Sequence, residues 1–277
     1  MTLAKARPRR SAVDGRGAVA AALLALLLLA AVLGPLFTSA DPNALDLSNI
    51  GAPPGGAHWL GTDESGRDVL SRLLVGGRVS LAVGFAAVLC SVAVGVSLGA
   101  LAGLTGRRAD AAVMRFTDAM LSIPTLFLVI AALTFFGASL TGLVVVIGAT
   151  SWMGLARLVR GELLTIREQT FVEAARALGA RPLHVFLRHA FPHLVPSVVV
   201  NATFGVGTAI LTESALSFLG LGVQPPAASW GNMLSNAQTY LSSTPWLAAY
   251  PGALILVTVV AVNVLGDAMR DALEPGS

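Results

Sequence analysis

Long apolar runs alternate with polar segments along this chain. The runs cover residues 18–40, 79–106, 119–156, 196–217 and 246–266, and they carry one charged residue among them. A helix needs about 20 apolar residues to cross a bilayer, so the third run is too long for one helix. The turn-forming segment from Gly137 to Gly142 divides it into a hairpin. The pattern therefore predicts an all-α membrane protein with six transmembrane helices.

The basic residues predict the orientation of these helices. Six helices place both termini on one side, and 15 of the 18 Lys and Arg residues lie in segments on that side. Because cytoplasmic segments are enriched in Lys and Arg, we expect both termini in the cytoplasm. Residues 1–17 and 269–277 are then cytoplasmic tails, and residues 41–78 are an extracytoplasmic polar segment. The membrane core covers residues 79–268 and contains a cytoplasmic loop at 157–195.

The first apolar run has two interpretations. A basic start, an apolar run and the small residues Thr38, Ser39 and Ala40 are typical of a secretory signal peptide. The apolar part of a signal peptide usually has about 7–15 residues, and this run is longer. We therefore favour an uncleaved first transmembrane helix.

Composition narrows the function classes. The chain has 277 residues, of which 55% are hydrophobic and 12% charged, about half the charge of a soluble domain. The net charge of +3 does not indicate nucleic-acid binding, because the basic residues flank the apolar runs. The single cysteine, Cys90, gives neither a disulfide framework nor a cysteine metal site. Lys5 is the only lysine and lies in the tail, which excludes a P-loop, and no H-E-x-x-H motif indicates a membrane metalloprotease.

Small residues recur every four positions in the second run, at Ser91, Gly95, Gly99 and Gly103. Such a stripe lets a second helix approach closely, so we expect it to pack in the core, with a substrate groove as the alternative. In the third span, Pro124 predicts a kink.

A charged island lies between the fourth and fifth spans, and its pattern predicts two short amphipathic helices. Thr170 and Glu173 have the spacing of a capping box, and Gly179 is placed for a left-handed turn at the end of the first helix. The apolar faces are Phe171, Ala174, Ala175 and Leu178 in the first helix and Leu183, Phe186, Leu187 and Ala190 in the second. These helices either lie on lipid headgroups or dock to a soluble partner.

Three further polar positions are candidate sites. Glu213 lies in the fifth span, where it has a functional role at a path or interface, reaches interfacial water, or caps the backbone of Thr212 and Ser214. Asn263 in the sixth span is expected to hydrogen-bond across helices. His189 and His193 are four residues apart, but Pro192 between them and the absence of a nearby carboxylate argue against a metal site.

The island also resembles a known motif. Glu173, Ala174, Ala175, Gly179 and Pro192 match the "EAA" cytoplasmic loop of ABC importer permeases, with Phe191 where the family often has Leu. The resemblance implies that this loop docks into a groove of a separate ATP-hydrolysing subunit and transmits its motion to the membrane helices.

Three longer blocks resemble the oligopeptide, dipeptide and nickel permeases within that family. They cover residues 58–81, 211–234 and 250–275, with the departures Trp59 and Glu274. The resemblance implies the type I ABC importer permease fold in a bacterial plasma membrane. It also implies four kinds of partner: a second related permease, two ATPase subunits, an extracytoplasmic substrate-binding protein and the lipid bilayer.

We therefore expect a permease subunit of an ATP-driven importer for peptides or for nickel-like small solutes. The chain itself is expected to need no cofactor, because ATP would be bound by the partner subunits. The alternative is a self-sufficient secondary transporter or channel, which would need coupling-ion carboxylates or broken helices at the midplane.

Overall fold

The computed structural model describes residues 10–38, 40–137 and 139–273. Within these residues the chain forms eleven α-helices, one π-helical turn at Phe186–Ala190, one 3-10 turn at Gln238–Tyr240 and no β-strand. The α-helices are α1 Arg10–Phe37, α2 Val69–Leu104, α3 Arg107–Leu121, α4 Thr125–Phe136, α5 Leu140–Ala149, α6 Met153–Ile166, α7 Thr170–Ala177, α8 Pro182–Val185, α9 Phe191–Phe218, α10 Trp230–Ala237 and α11 Trp246–Leu273.

The helices of the described residues agree with the predicted all-α membrane fold. Five helical segments are long and apolar enough to cross a membrane, at residues 15–36, 69–104, 140–166, 183–218 and 246–273. The pair α3 and α4 forms a sixth span when it is counted as one bent element.

Helix α2 lies at the centre and packs against α1, α5, α6 and α9. Its predicted small-residue stripe packs in the core against α6, as expected. A Cβ added at Gly99 would lie 2.6 Å from the Ala156 oxygen, and one added at Gly103 would lie 2.8 Å from the Leu163 Cβ. The stripe therefore sets the close approach of the two helices.

The third span differs from the prediction, because it is divided into two helices at Pro124 instead of being one kinked helix. Helices α3 and α4 meet at an angle of 92°, and Pro124 is the extended residue that precedes α4. Proline disfavours helical geometry in the residue before it, so the helix breaks at Ile123. The basic segment from Arg107 to Arg115, which separates two apolar runs, is helical and belongs to α3.

Ion pairs join α3 to α6. The Arg160 guanidinium donates two hydrogen bonds to the Asp110 carboxylate, at 2.6 and 2.7 Å, and Arg157 pairs with Asp118. A two-bond pairing of this kind fixes orientation as well as distance. The bent arm is therefore tied to the helix that leads into the charged island.

Several helices extend beyond the apolar runs that predicted them. Helix α1 begins at Arg10, α2 at Val69 instead of Val79, and α6 continues to Ile166. Hydrophobicity marks the part of a helix that lies in lipid, whereas the hydrogen-bonded turns continue into polar surroundings. Residue Ser39 of the candidate cleavage site lies outside the described residues.

The end of the bundle between α1 and α2 is covered by residues 40–68 and by α10. Asp63 accepts a hydrogen bond from Arg67 at 2.7 Å and lies 3.3 Å from buried Arg72. Asp68 caps α2 by accepting from the Ser71 N–H and pairs with His58 at 2.9 Å. This polar segment is therefore held on the bundle by ion pairs and a helix cap.

Candidate coupling surface and buried polar network

The predicted capping box does not form at the start of α7. Thr170 is the first helical residue, Gln169 occupies the capping position, and no side chain caps the helix. Thr170 is one position too far along the chain, so its hydroxyl cannot reach the free N–H groups of the first turn. Glu173 lies in that turn, where its charge favours the positive end of the helix dipole.

The left-handed turn predicted at Gly179 is confirmed. Its φ is +84°, in the region where an added Cβ is strained. The Ala180 N–H donates to the Ala175 oxygen and the Gly179 N–H donates to the Arg176 oxygen, at 3.1 and 2.9 Å. These two bonds form the Schellman motif that ends many helices, and they aim the chain from α7 into α8.

The apolar face predicted for α7 is not the buried one. Val172 is buried, whereas Phe171 and Ala174 are exposed and Leu178 is 89% exposed. The exposed apolar face is therefore free to contact something outside this chain.

The second predicted short helix is the first part of a long one. Helix α8, the π turn and α9 follow without a break, and the N–H of Phe191 donates to the Phe186 oxygen five residues earlier. Phe186 and Ala190 are buried against α6, while Leu183 and Leu187 are 64% and 56% exposed. We call Ala174, Leu178, Leu183 and Leu187 the exposed apolar set.

Basic residues accompany this set. Arg176, Arg181 and Arg188 are all exposed. Pro192 follows the π turn near the start of α9 and is exposed. The surface thus combines apolar side chains with positive charge, which suits a protein partner with an apolar groove and acidic groups.

The histidines of this region contact aromatic rings. The His193 ring lies 5.3 Å from that of Phe171, and the His184 ring lies 6.0 Å from that of His189. Among the described residues, no group of three or more His, Cys, Asp and Glu could hold a metal ion.

Glu213 is fully buried, so its carboxylate does not reach interfacial water. Its two carboxylate oxygens accept hydrogen bonds from the hydroxyls of Ser80 and Ser217, at 2.9 and 2.7 Å. The Trp230 N–H donates to the Ser80 oxygen and the Val223 N–H donates to the Ser217 oxygen. Glu213 is therefore the centre of a network that joins α2, α9, α10 and the segment before α10.

Asn263 makes no cross-helix hydrogen bond within the described residues, contrary to expectation. Its side chain is exposed on α11, beside Gly207 of α9. An exposed amide in lipid is unfavourable, so this position stays a candidate for contact with another subunit.

A polar stripe on α9 was not predicted from the sequence. Asn201 and Thr208 are exposed, with Gly205 between them, and all three line one cleft with Ser91 of α2 and Ser151. The spacing of 201, 205 and 208 places these residues on one helix face. That periodicity was the available signal in an otherwise apolar run.

The chain matches the family model for binding-protein-dependent transport system inner membrane components over residues 95–277. Members of this family are the membrane permease subunits of ABC importers in the bacterial inner membrane; they are not enzymes, and a separate subunit hydrolyses ATP.

Curated relatives match nearly the whole chain. It is 42% identical over 255 residues to the "Probable D,D-dipeptide transport system permease protein DdpC" of Escherichia coli K12, covering 92% of this chain and 86% of the relative. It is 41% identical over 260 residues to the glutathione transport system permease GsiD of Pectobacterium atrosepticum, covering 93% and 86%. The oligopeptide transport system permease OppC of Bacillus subtilis is 38% identical over 253 residues, covering 91% and 83%.

The fold has a counterpart among solved structures. A chain of the inward-facing MetNI methionine ABC transporter superposes with a TM-score of 0.60 at 22% identity, covering 73% of this chain and 95% of that chain. The family model, the extent of the relatives and the shared helical fold lead to one conclusion: the chain belongs to the binding-protein-dependent transport system inner membrane components, the permease subunits of ABC importers.

Proposed function

We propose that this chain is the permease subunit of an ATP-driven importer for di- and oligopeptides. The relatives described above are named for D,D-dipeptides, oligopeptides and glutathione, which are all short peptides. None of these three is named for nickel, so a peptide cargo has the better support.

The exposed apolar set is the observation that carries the coupling role. Its residues lie on α7, at the Leu178 position that ends α7, and at the start of the α8–α9 helix, and the turn at Gly179 joins the two helices. Leu178 is 89% exposed, and an apolar group of that size gains about 2 kcal/mol when it is fully buried. The residues that match the EAA motif dock to an ATPase subunit, which binds the ATP. They are Glu173, Ala174, Ala175, Gly179 and Pro192.

Packing around the π turn gives a route from that surface to the membrane helices. Phe186 and Ala190 are buried in one apolar cluster with Leu155 and Val159 of α6 and with Leu194 of α9. When two ATPase subunits close, a displaced α7 moves α6 and α9 together as a packed unit. Such rigid-body motion is the basis of alternating access.

The opposite end of the molecule receives the cargo. With both termini in the cytoplasm, residues 40–68 face the outside, where Leu45, Leu47 and Trp59 are 66%, 74% and 74% exposed. An apolar surface of this kind fits a substrate-binding protein. A second, homologous permease completes the membrane part.

Co-purification of the tagged chain from its native membrane tests this function. The wild-type chain is expected to recover a second permease and a P-loop ATPase. Leu178→Glu places a charge at the docking surface and is expected to lower ATPase recovery about tenfold, the effect of roughly 1.4 kcal/mol. Leu241→Glu, at a 53% exposed position at the other end of the bundle, is the matched control.

Two outcomes would count against the proposal in different ways. Wild-type recovery with Leu178→Glu would show that the exposed apolar set is not the docking surface. A wild-type chain isolated with no ATPase would favour a self-sufficient secondary transporter or channel.

A further inference from the structure

One unbroken helical element connects the coupling surface with the opposite end of the molecule. It starts at α8, passes through the π turn and continues as α9 to Phe218. Its 36 residues extend over about 54 Å, at about 1.5 Å per residue. At its start it packs in the apolar cluster with α6, and at its end it packs against α10. The element is therefore long enough to link the two sides of a bilayer.

A buried hydrogen-bonded clamp fixes α10 at the far end of this element. Glu213 of α9 accepts a hydrogen bond from Ser80 of α2, and the Ser80 oxygen accepts one from the Trp230 N–H at the start of α10, at 3.2 Å. The Trp230 indole N–H donates to the Leu73 oxygen of α2 at 3.0 Å. Because these groups are buried, separating α10 from the bundle leaves polar groups unpaired. We call Glu213, Ser80 and Trp230 the α10 clamp.

Close packing strengthens the attachment of α10 to α9. A Cβ added at Gly231 of α10 would lie 2.6 Å from the Ser214 Cα of α9. The Ser235 hydroxyl donates to the Phe218 oxygen at the end of α9, at 2.8 Å. Backbones in such close contact interlock and do not slide past one another easily. The two helices therefore form one rigid unit.

The polar segment at residues 40–68 is joined to this unit. The Asn236 amide of α10 donates a hydrogen bond to the Glu64 carboxylate at 3.1 Å. Glu64 also pairs with Arg67, which is buried beside Asp63. A protein that docks on this segment and displaces it therefore displaces α10 as well.

We propose that Glu213 is a positioning residue for communication between the two ends of the transporter. The α10 clamp makes α10 and α9 move together, so that a loaded substrate-binding protein docked on residues 40–68 acts on the coupling surface through α9. This proposal rests on the proposed importer function. Packed helices and hydrogen-bond networks of this kind are the physical carriers of coupling between distant sites.

Removal of one hydroxyl from the clamp tests the proposal. Ser80→Ala deletes both the donor to Glu213 and the acceptor of the Trp230 N–H. Ser71→Ala is the matched control, because Ser71 is a buried serine on the same helix whose hydroxyl makes no hydrogen bond. Val146→Ala is the control for lost stability, since it removes buried apolar volume from α5.

The measurement is the ATPase rate of the assembled transporter in phospholipid nanodiscs, with and without the substrate-binding protein recovered with the wild-type complex and loaded with trialanine. Ser80→Ala is expected to keep the basal rate and to lower the stimulated-to-basal ratio at least about fivefold, the smallest change typical of coupled sites. Ser71→Ala and Val146→Ala are expected to keep the wild-type ratio. Glu213→Gln retains one acceptor oxygen and is expected to lower the ratio less.

The outcomes separate this role from a purely structural one. A wild-type ratio in Ser80→Ala, or in Glu213→Gln where Ser80→Ala does not assemble, would overturn the proposal. An equal loss of the ratio in Val146→Ala would also overturn it, because the clamp would then act through stability alone. A wild-type transporter that the loaded binding protein does not stimulate would overturn the importer function itself.

Discussion

At the scale of single residues, Glu213 is the one charged group in the apolar runs, and neighbouring side chains satisfy the hydrogen bonds of its buried carboxylate. Both oxygens accept hydroxyl hydrogen bonds, and each hydroxyl in turn accepts a backbone N–H. Among the described residues no ion pair reaches Glu213, so hydrogen bonds alone satisfy it. Chains of this kind strengthen one another in a low-dielectric interior.

Glu213→Leu is expected to destabilise the bundle by about 2 kcal/mol, because the Ser80 and Ser217 hydroxyls lose their acceptor inside the protein. Glu213→Gln keeps one of the two acceptor oxygens and is expected to cost less. The measurement is the apparent melting temperature of the purified transporter in detergent. Identical melting curves for wild type and Glu213→Leu would show that the network adds no stability.

At the scale of elements, the short helix α7 is fixed mainly at its C-terminal end. Val172 is its one buried residue, and its C-terminal carbonyls are satisfied by the turn at Gly179. An isolated helix of this length is unstable in water. The orientation of the Leu178 side chain therefore depends on the Schellman turn.

Gly179→Leu is expected to leave the protein in the membrane and to abolish uptake. An L-residue in the left-handed region costs about 1–2 kcal/mol, and a Cβ at Gly179 meets no atom within 4 Å, so the effect is confined to the turn. Gly179→Asn is the control, because Asn tolerates this conformation. The measurement is peptide uptake by membranes that contain equal amounts of each variant. Full uptake by Gly179→Leu would contradict the coupling model.

At the scale of the whole molecule, orientation follows from charge. Placing both termini in the cytoplasm puts 15 of 18 basic residues inside. The opposite orientation would put the exposed apolar set outside the cell, away from any ATPase. The proposed coupling role and the charge distribution thus favour the same orientation.

Fusions test this orientation. Alkaline phosphatase needs disulfides that form outside the cytoplasm, so it is expected to be active when fused after Ser243 and inactive when fused after Gln169. Both positions lie in connecting segments outside the long helices. Activity only after Gln169 would reverse the topology.

The features that depend on local chemistry could be predicted from the residue pattern. Runs of apolar residues gave the six-span membrane fold, and glycine spacing gave the stripe at Gly95, Gly99 and Gly103 that packs on α6. Gly179 was assignable because the left-handed region favours glycine. The family also followed from local residues, since the Glu173 to Pro192 block lies in one short segment.

Features that depend on which helix lies opposite could not be predicted from the residue pattern and follow from the packing of the helices. Glu213 meets Ser80 across 133 positions of sequence, and no local pattern pairs them. Val172, not Phe171, is the buried residue of α7, because the rotation of a helix depends on its neighbours as well as on its own periodicity. The cleft lined by Ser151, Asn201 and Thr208 likewise brings residues of α9 together with the break between α5 and α6, and a contact between separate helices is a property of their packing.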